Sequence, residues 1–171
     1  MPRLDHYLTT TRGYTAESFV AEFLYPFLVF HQPDGVASEP WSFNTKALTD
    51  SVSSETPVSA PSAAELYEVF PVRKVLGNPW PDRVSVGRAR NSDIVLLDPS
   101  VSKLHAHFMD GGRAGFSLVD ANSRNGTRVN NEMLVANVAQ PVVSGQLLAF
   151  GAAELMFLSA RDFFSFLAEH R

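Results

Sequence analysis

Apolar positions recur at two different spacings along this chain, and the change from one spacing to the other divides it. Within residues 15–31 they fall three and four apart, which predicts a helix that Thr15 can cap. Pro26 lies inside this pattern, so we expect a kink or a break there. We expect this apolar stripe to pack on its own domain; the alternative is that it fills a groove of a partner. The stripe consists of Phe19, Val20, Phe23, Leu24, Phe27 and Leu28.

From about Glu68 onward the apolar period falls to two, as in half-buried strands. Gly and Asp residues separate the segments, and Asp110-Gly111-Gly112 has the composition of a hairpin turn. Short strands at this close spacing favour an all-β sandwich. The predicted strands are residues 69–75, 83–86, 93–97, 105–109, 115–119, 127–129, 132–135, 146–150 and 154–158.

Between the two patterns, residues 51–64 are rich in Ser, Ala, Pro and Thr, the composition of a linker, and a turn is predicted at 32–35. After the last strand, Ser159 and Asp162 predict the start of a short helix with a phenylalanine-rich face. Both terminal helices can pack on each other, cover an edge of the sandwich or form a homodimer contact. The expected parts are an N-terminal helical extension with flexible linker (1–66), a sheet domain (67–158) and a C-terminal helix (159–171).

Composition narrows the class of protein. The absence of cysteine excludes disulfides, thiolate metal sites and a cysteine nucleophile. The longest apolar stretch is too short to span a bilayer, so we expect no membrane insertion and a cytoplasmic protein. A net charge of −4 argues against nucleic acid as a partner. Residues 83–128 nevertheless hold seven Lys and Arg against four Asp, a local +3 that leaves −7 elsewhere and suggests a small anion site.

Three predicted loops carry the residue types that bind a phosphate monoester, which needs several converging donors. Arg88 offers a planar fork, Ser102 a hydroxyl and Lys103 an ammonium group. In the third loop, Arg124 adds a cation, and Asn125 can donate to and accept from a ligand's peptide group.

The order of these clusters resembles the signature of forkhead-associated (FHA) domains, which read Gly-Arg, Ser-x-x-His and Asn-Gly. The matching positions are Gly87-Arg88, Ser102 to His105 and Asn125-Gly126, and the resemblance covers about residues 67–158. It implies a mainly β protein, with an FHA-type antiparallel β-sandwich between the N-terminal helical extension and the short C-terminal helix. Its apical loops are then expected to bind phosphothreonine peptides.

By the same resemblance, Arg88 and Ser102 are the central phosphate ligands, with further contacts from Lys103 and Arg124. Asn125 is expected to bond the peptide backbone beside the phosphothreonine. The other signature positions are expected to be structural: Gly87, His105 and Gly126. The implied function is a phosphopeptide-binding adaptor in signalling, whose ligand is made by an upstream Ser/Thr kinase on a partner or on this chain's own threonines, at Thr9–Thr11 or Thr56.

Other functions find less support in the sequence. No nucleophile elbow and no P-loop occur, and a Ser102–His105 nucleophile pair lacks an orienting acid, so we expect no enzyme. His105 and His107 lie on one strand face without an obvious third ligand, so we expect no metal and no cofactor. The alternative left open is a phosphate-independent scaffold that binds partners through sheet faces and the phenylalanine-rich helices.

Overall fold

The computed structural model describes residues 3–31, 66–78 and 80–171. Its elements begin with helices α1 (Leu4–Thr10) and α2 (Ala16–Glu22) and end with helix α3 (Ala160–Glu169). Between them lie β1 (Phe27–His31), β2 (Tyr67–Pro71), β3 (Val84–Gly87), β4 (Ile94–Val95), β5 (Ala106–Asp110), β6 (Phe116–Asp120), β7 (Thr127–Val129), β8 (Glu132–Met133), β9 (Gln140–Val142), β10 (Leu147–Phe150) and β11 (Ala153–Leu158).

The strands form two sheets packed face to face, which confirms the predicted mainly β sandwich. One sheet has six strands in the order β2-β1-β11-β10-β7-β8, and the other has five in the order β4-β3-β5-β6-β9. The registered pairs are antiparallel except β3 with β4, which is parallel. The core between the sheets is built from fully buried side chains of both, among them Leu28, Phe108, Leu118 and Leu148.

The predicted helix over residues 15–31 is wrong beyond residue 22. Thr15 does cap α2, because its hydroxyl accepts from the Ser18 N–H. The helix then ends before Pro26, which has no N–H to donate to an earlier carbonyl and whose own carbonyl accepts from Val72 N–H instead. Residues 27–31 form β1, which pairs with β2 on one side and β11 on the other.

A second, aromatic cluster covers the outer face of the six-stranded sheet. Here α1, α2 and α3 pack on β1, and the rings of Phe27 and Phe163 stack 4.2 Å apart. Phe19 and Phe163 are fully buried. The phenylalanine faces offered by the sequence for a homodimer or a partner are therefore packed within one chain.

Several shorter elements differ from the expectations. Helix α1 and strand β9 were not predicted, and Val75 lies outside any strand. The predicted strand at 93–97 is reduced to the two residues of β4. The turn between β5 and β6 is longer than predicted, because a 3-10 turn at Gly112–Ala114 follows Gly111.

Some expectations fall outside the described part of the chain. These are the turn at 32–35, the linker at 51–64 and the candidate threonine Thr56. Within the described residues, none of the helices has the length and apolar character needed to cross a bilayer.

Candidate functional site

Two of the predicted site loops run side by side at one end of the sandwich. The β3–β4 loop carries Arg88, whose N–H donates to the carbonyl of Ser102 in the β4–β5 loop at 2.9 Å. The next N–H, of Ala89, donates to the carbonyl of Lys103 at 3.1 Å. These two bonds bring the three donor side chains of the first two motifs onto one surface.

Gly87 makes this close pairing possible. A Cβ atom added at Gly87 would lie 2.2 Å from the Lys103 carbonyl oxygen, far inside van der Waals contact. Because the obstacle is backbone, no side-chain movement would relieve it. The structural role expected for Gly87 thus has a physical basis in the approach of two backbones.

The third loop, between β6 and β7, is joined to the second through side chains. The Arg124 N–H donates to the Ser102 Oγ at 3.0 Å, and the Asn125 Nδ2 donates to the Ser100 carbonyl at 2.7 Å. The Ser102 hydroxyl accepts from the protein and keeps its own proton to donate. Asn125 likewise keeps its Oδ1 as an acceptor that points to no protein donor within the described residues.

The cationic side chains at this end make few hydrogen bonds and no ion pairs with the described residues. The Arg88 Nε donates to the Val101 carbonyl at 3.1 Å, which steadies the guanidinium and leaves its two terminal nitrogens unengaged by the described residues. The ion pairs of the described chain do not include Arg88, Lys103 or Arg124, and all three are exposed. Unpaired cations around a hydroxyl donor form a surface suited to a dianion.

His105 is fully buried and connects two loops through its ring. The Ser102 N–H donates to Nδ1 at 3.0 Å, so the proton of the neutral ring is assigned to Nε2, which lies 3.0 Å from the Gly126 carbonyl oxygen. Burial lowers the pKa of His105 and favours this neutral form. Both nitrogens face backbone groups, so the ring does not stand as a base beside the Ser102 hydroxyl.

Residues 84–151 match the family model of the FHA domain. This part of the chain is an FHA domain. GarA, a glycogen accumulation regulator of Mycolicibacterium smegmatis, is 41% identical over 76 residues, which are 44% of this chain and 45% of that protein. An oxoglutarate dehydrogenase inhibitor of Corynebacterium glutamicum is 40% identical over 75 residues, or 44% of this chain and 50% of the inhibitor. The chain therefore spans about half the length of these curated relatives.

Among solved structures, a complex of Mycobacterium tuberculosis EmbR with a low-affinity phosphopeptide aligns with a TM-score of 0.44. The alignment has 25% identity and covers 53% of this chain and 21% of that chain.

The FHA domain also uses residues to which the sequence analysis gave no role. Asp120 is buried and its Oδ1 accepts from the hydroxyls of Ser123 and Thr127, each at 2.6 Å. Burial acts to raise the pKa of Asp120, but these hydrogen bonds outweigh it and hold that pKa below its usual value. Asp120 thereby fixes both ends of the third loop.

Ser100 has a similar supporting role under the FHA loops. Its hydroxyl donates to Asp98 at 2.6 Å and accepts from the Ala152 N–H at 2.8 Å, while its carbonyl holds Asn125. The short spacing of Asp98 and Ser100 is a local turn signal that could have been found in the sequence. The contact with Ala152 is remote along the chain and had no such signal.

The N-terminal threonines lie at the end of α1, where Thr9 and Thr10 are exposed and Thr11 is buried. Thr9 and Thr11 donate to carbonyls one turn earlier, at the end of α1, and Thr11 is only 1% exposed. Phosphorylation of Thr11 would require this helix end to open.

The described residues, including those around His105 and His107, contain no group of three or more His, Asp or Glu side chains that could hold a metal ion.

Proposed function

We propose that this FHA domain is an adaptor that binds a phosphothreonine-containing segment of a partner protein. The observation that carries the proposal is the meeting of three loops around the Ser102 hydroxyl, which accepts from Arg124 N–H and keeps its proton for a ligand oxygen. Arg88, Lys103 and Arg124 are exposed on the same three loops and take part in none of the ion pairs of the described residues. A phosphate with about two negative charges would bind there through charge-assisted hydrogen bonds.

We assign the roles as the resemblance implies. Arg88 and Ser102 bind the phosphate directly, and Lys103 of the second loop and Arg124 of the third add further phosphate contacts. Asn125 is tied to Ser100 through its amino group, so its carbonyl oxygen accepts from a peptide N–H of the ligand. Gly87, His105 and Gly126 hold the loops in place without touching the ligand.

The wider function is proposed as regulatory and non-catalytic. Two relatives bear the names of a regulator and an inhibitor, and each of them matches 44% of this chain. An adaptor of this kind acts in the cytoplasm downstream of a Ser/Thr kinase that modifies its partner. Among the chain's own N-terminal threonines, Thr11 is the less favoured ligand because it is buried, whereas Thr9 and Thr10 are exposed.

The proposal is tested with a degenerate phosphothreonine peptide library applied to the full chain, beside phosphoserine and unphosphorylated libraries. The wild type should capture phosphothreonine peptides selectively. Arg88→Ala should lose about 2–5 kcal/mol of binding free energy, because it removes one partner of a desolvated charge pair. Arg113→Ala, at the far end of the sandwich, serves as the control for loss of an exposed arginine.

Equal capture of all three libraries, or unchanged capture by Arg88→Ala, would contradict the proposal. The remaining function would then be the phosphate-independent scaffold. Since the phenylalanine-rich faces are internal, sheet surfaces would be its binding sites.

A further inference from the structure

The binding end of the FHA domain presents more positive charge than one phosphate needs. Four exposed cations lie on its three loops, and none takes part in the ion pairs of the described chain. They are Arg88, Arg90, Lys103 and Arg124. A phosphate monoester brings between one and two negative charges at neutral pH, so three of these cations already exceed its charge.

The acidic residues of the same loops do not offset this charge at the surface. The Asp93 carboxylate is fully buried and bonded to Lys74 Nζ at 3.0 Å. Asp120 is buried against hydroxyl groups, and Asp98 accepts from the Ser100 N–H at 2.7 Å. The Asp93 and Asp120 side chains are therefore buried and Asp98 is half-buried, while the four cationic residues are exposed.

Arg90 is the cation without a place in the phosphate site. It lies on a turn closed by the Ser92 N–H, which donates to the Ala89 carbonyl at 3.0 Å. The same Ala89 donates to Lys103, so the turn is fastened to the second phosphate-binding loop. Arg90 is thus exposed directly beside the proposed phosphate ligands.

We propose that Arg90 determines specificity by attracting acidic side chains that flank the phosphothreonine, so that the partner segment is acidic. This inference rests on the proposed function and adds the chemical class of the ligand. The positive charge is local. Residues 83–128 carry a net +3, whereas the rest of the chain carries −7, which gives the total of −4. A short acidic peptide meets only this end, whereas a long polyanion would also meet the negative remainder of the chain.

The expected size of the effect follows from the exposure of Arg90. Exposed ion pairs contribute modestly and are screened by salt, so each correctly placed acidic side chain should improve affinity about two- to fivefold at low ionic strength. The gain should shrink as salt is added. Part of it should appear in the association rate, as is usual for a charge at the edge of an interface.

The test uses phosphothreonine peptides of equal length with neutral flanks, with acidic residues before the phosphothreonine, or with acidic residues after it. Each is titrated against the full chain as wild type, Arg90→Gln and Arg113→Gln at low and high salt. Arg113 is a matched control, since it is also exposed and lies in the β5–β6 turn, at the opposite end of those strands. The wild type and Arg113→Gln should prefer at least one acidic peptide, and Arg90→Gln should lose that preference while still binding the neutral peptide.

The outcomes separate the two proposals. If the wild type binds neutral and acidic phosphopeptides equally, or if Arg90→Gln keeps the full preference, the role of Arg90 is wrong and phosphothreonine binding stands. If no phosphopeptide binds better than its unphosphorylated form, the proposed function fails and this inference fails with it.

Discussion

At the scale of single residues, His105 links the stability of the site to pH. The buried ring accepts at one nitrogen and donates at the other, so a second proton would place two donors, Nδ1–H and the Ser102 N–H, against each other. Burial lowers the pKa of His105 below its ordinary 6.5, and it lowers that of His107 in the same direction. The unfolded chain therefore binds protons near that pH that the folded chain does not.

The sign of the effect follows from this difference in bound protons. The histidine contribution to the free energy of unfolding should be complete above about pH 6.5 and should be lost as the pH falls below that value. Denaturant unfolding across this range measures the slope. His105→Gln should reduce the slope, and His6→Gln, at an exposed position, is the control replacement. An unchanged slope in His105→Gln would assign the pH dependence to other groups.

Individual residues of the site also differ in how well the sequence predicts them. Motif order placed Arg88, Ser102 and Asn125 in neighbouring loops, and the structure brings those loops together. Asp120 was not predicted as a site residue because Asp, Ser and Thr are ordinary residues of a loop. Its supporting role depends on burial and on its hydrogen bonds with the hydroxyls of Ser123 and Thr127, which the sequence does not show.

At the scale of elements, β1 shows how one apolar pattern can fit two structures. A strand that is buried on both faces has a continuous run of Phe, Leu and Val without alternating polar residues. The periodicity of such a run does not distinguish a strand from a helix. Here Phe27 and Val29 enter the aromatic cluster, while Leu28 enters the core between the sheets. Placement between β2 and β11 decides the outcome, and that placement depends on strands far along the chain.

Two leucines four residues apart allow an experiment to distinguish a continuous helix over residues 15–31 from the observed strand β1. On a continuous helix, Leu24 and Leu28 would share one face and lose similar stability when truncated. In the structure Leu28 is fully buried and Leu24 is 82% exposed. Leu28→Ala should lower the free energy of unfolding by about 2–5 kcal/mol.

Leu24→Ala should change the same free energy by less than about 0.5 kcal/mol. Chemical denaturation of both variants beside the wild type measures the difference. Equal losses would support the helix and contradict the placement of β1.

The elements that were missed have weak local signals. Strand β9 holds Pro141 and an exposed Gln140, and such a strand is tolerated at a sheet edge, where β9 lies. Helix α1 has only seven residues, too few to be stable alone, so tertiary packing of Leu4 and Tyr7 maintains it.

At the scale of the whole molecule, the aromatic cluster joins the two terminal regions of the chain to the sheet. Phe163 of α3 is fully buried and contacts rings of α1, α2 and β1. Phe163→Ala should lower the free energy of unfolding by about 3–5 kcal/mol. Because the same cavity loosens α1 and α2, limited proteolysis should cut within residues 4–22 sooner than in the wild type.

Ser165→Ala, at an exposed position of the same helix, is the control and should leave both measurements unchanged. A Phe163→Ala variant that is destabilised without faster N-terminal cleavage would show that the helices are held independently of one another.

The pairing of β1 with β2 has an evolutionary consequence. His31 lies opposite Tyr67 in the ladder, so the chain leaves and re-enters the sheet at one point. The entropy of closing such a gap grows only slowly with the number of residues inserted. This position can therefore gain or lose sequence between related proteins at small energetic cost, which lets new segments be added without rebuilding the end of the sandwich that we propose binds phosphate.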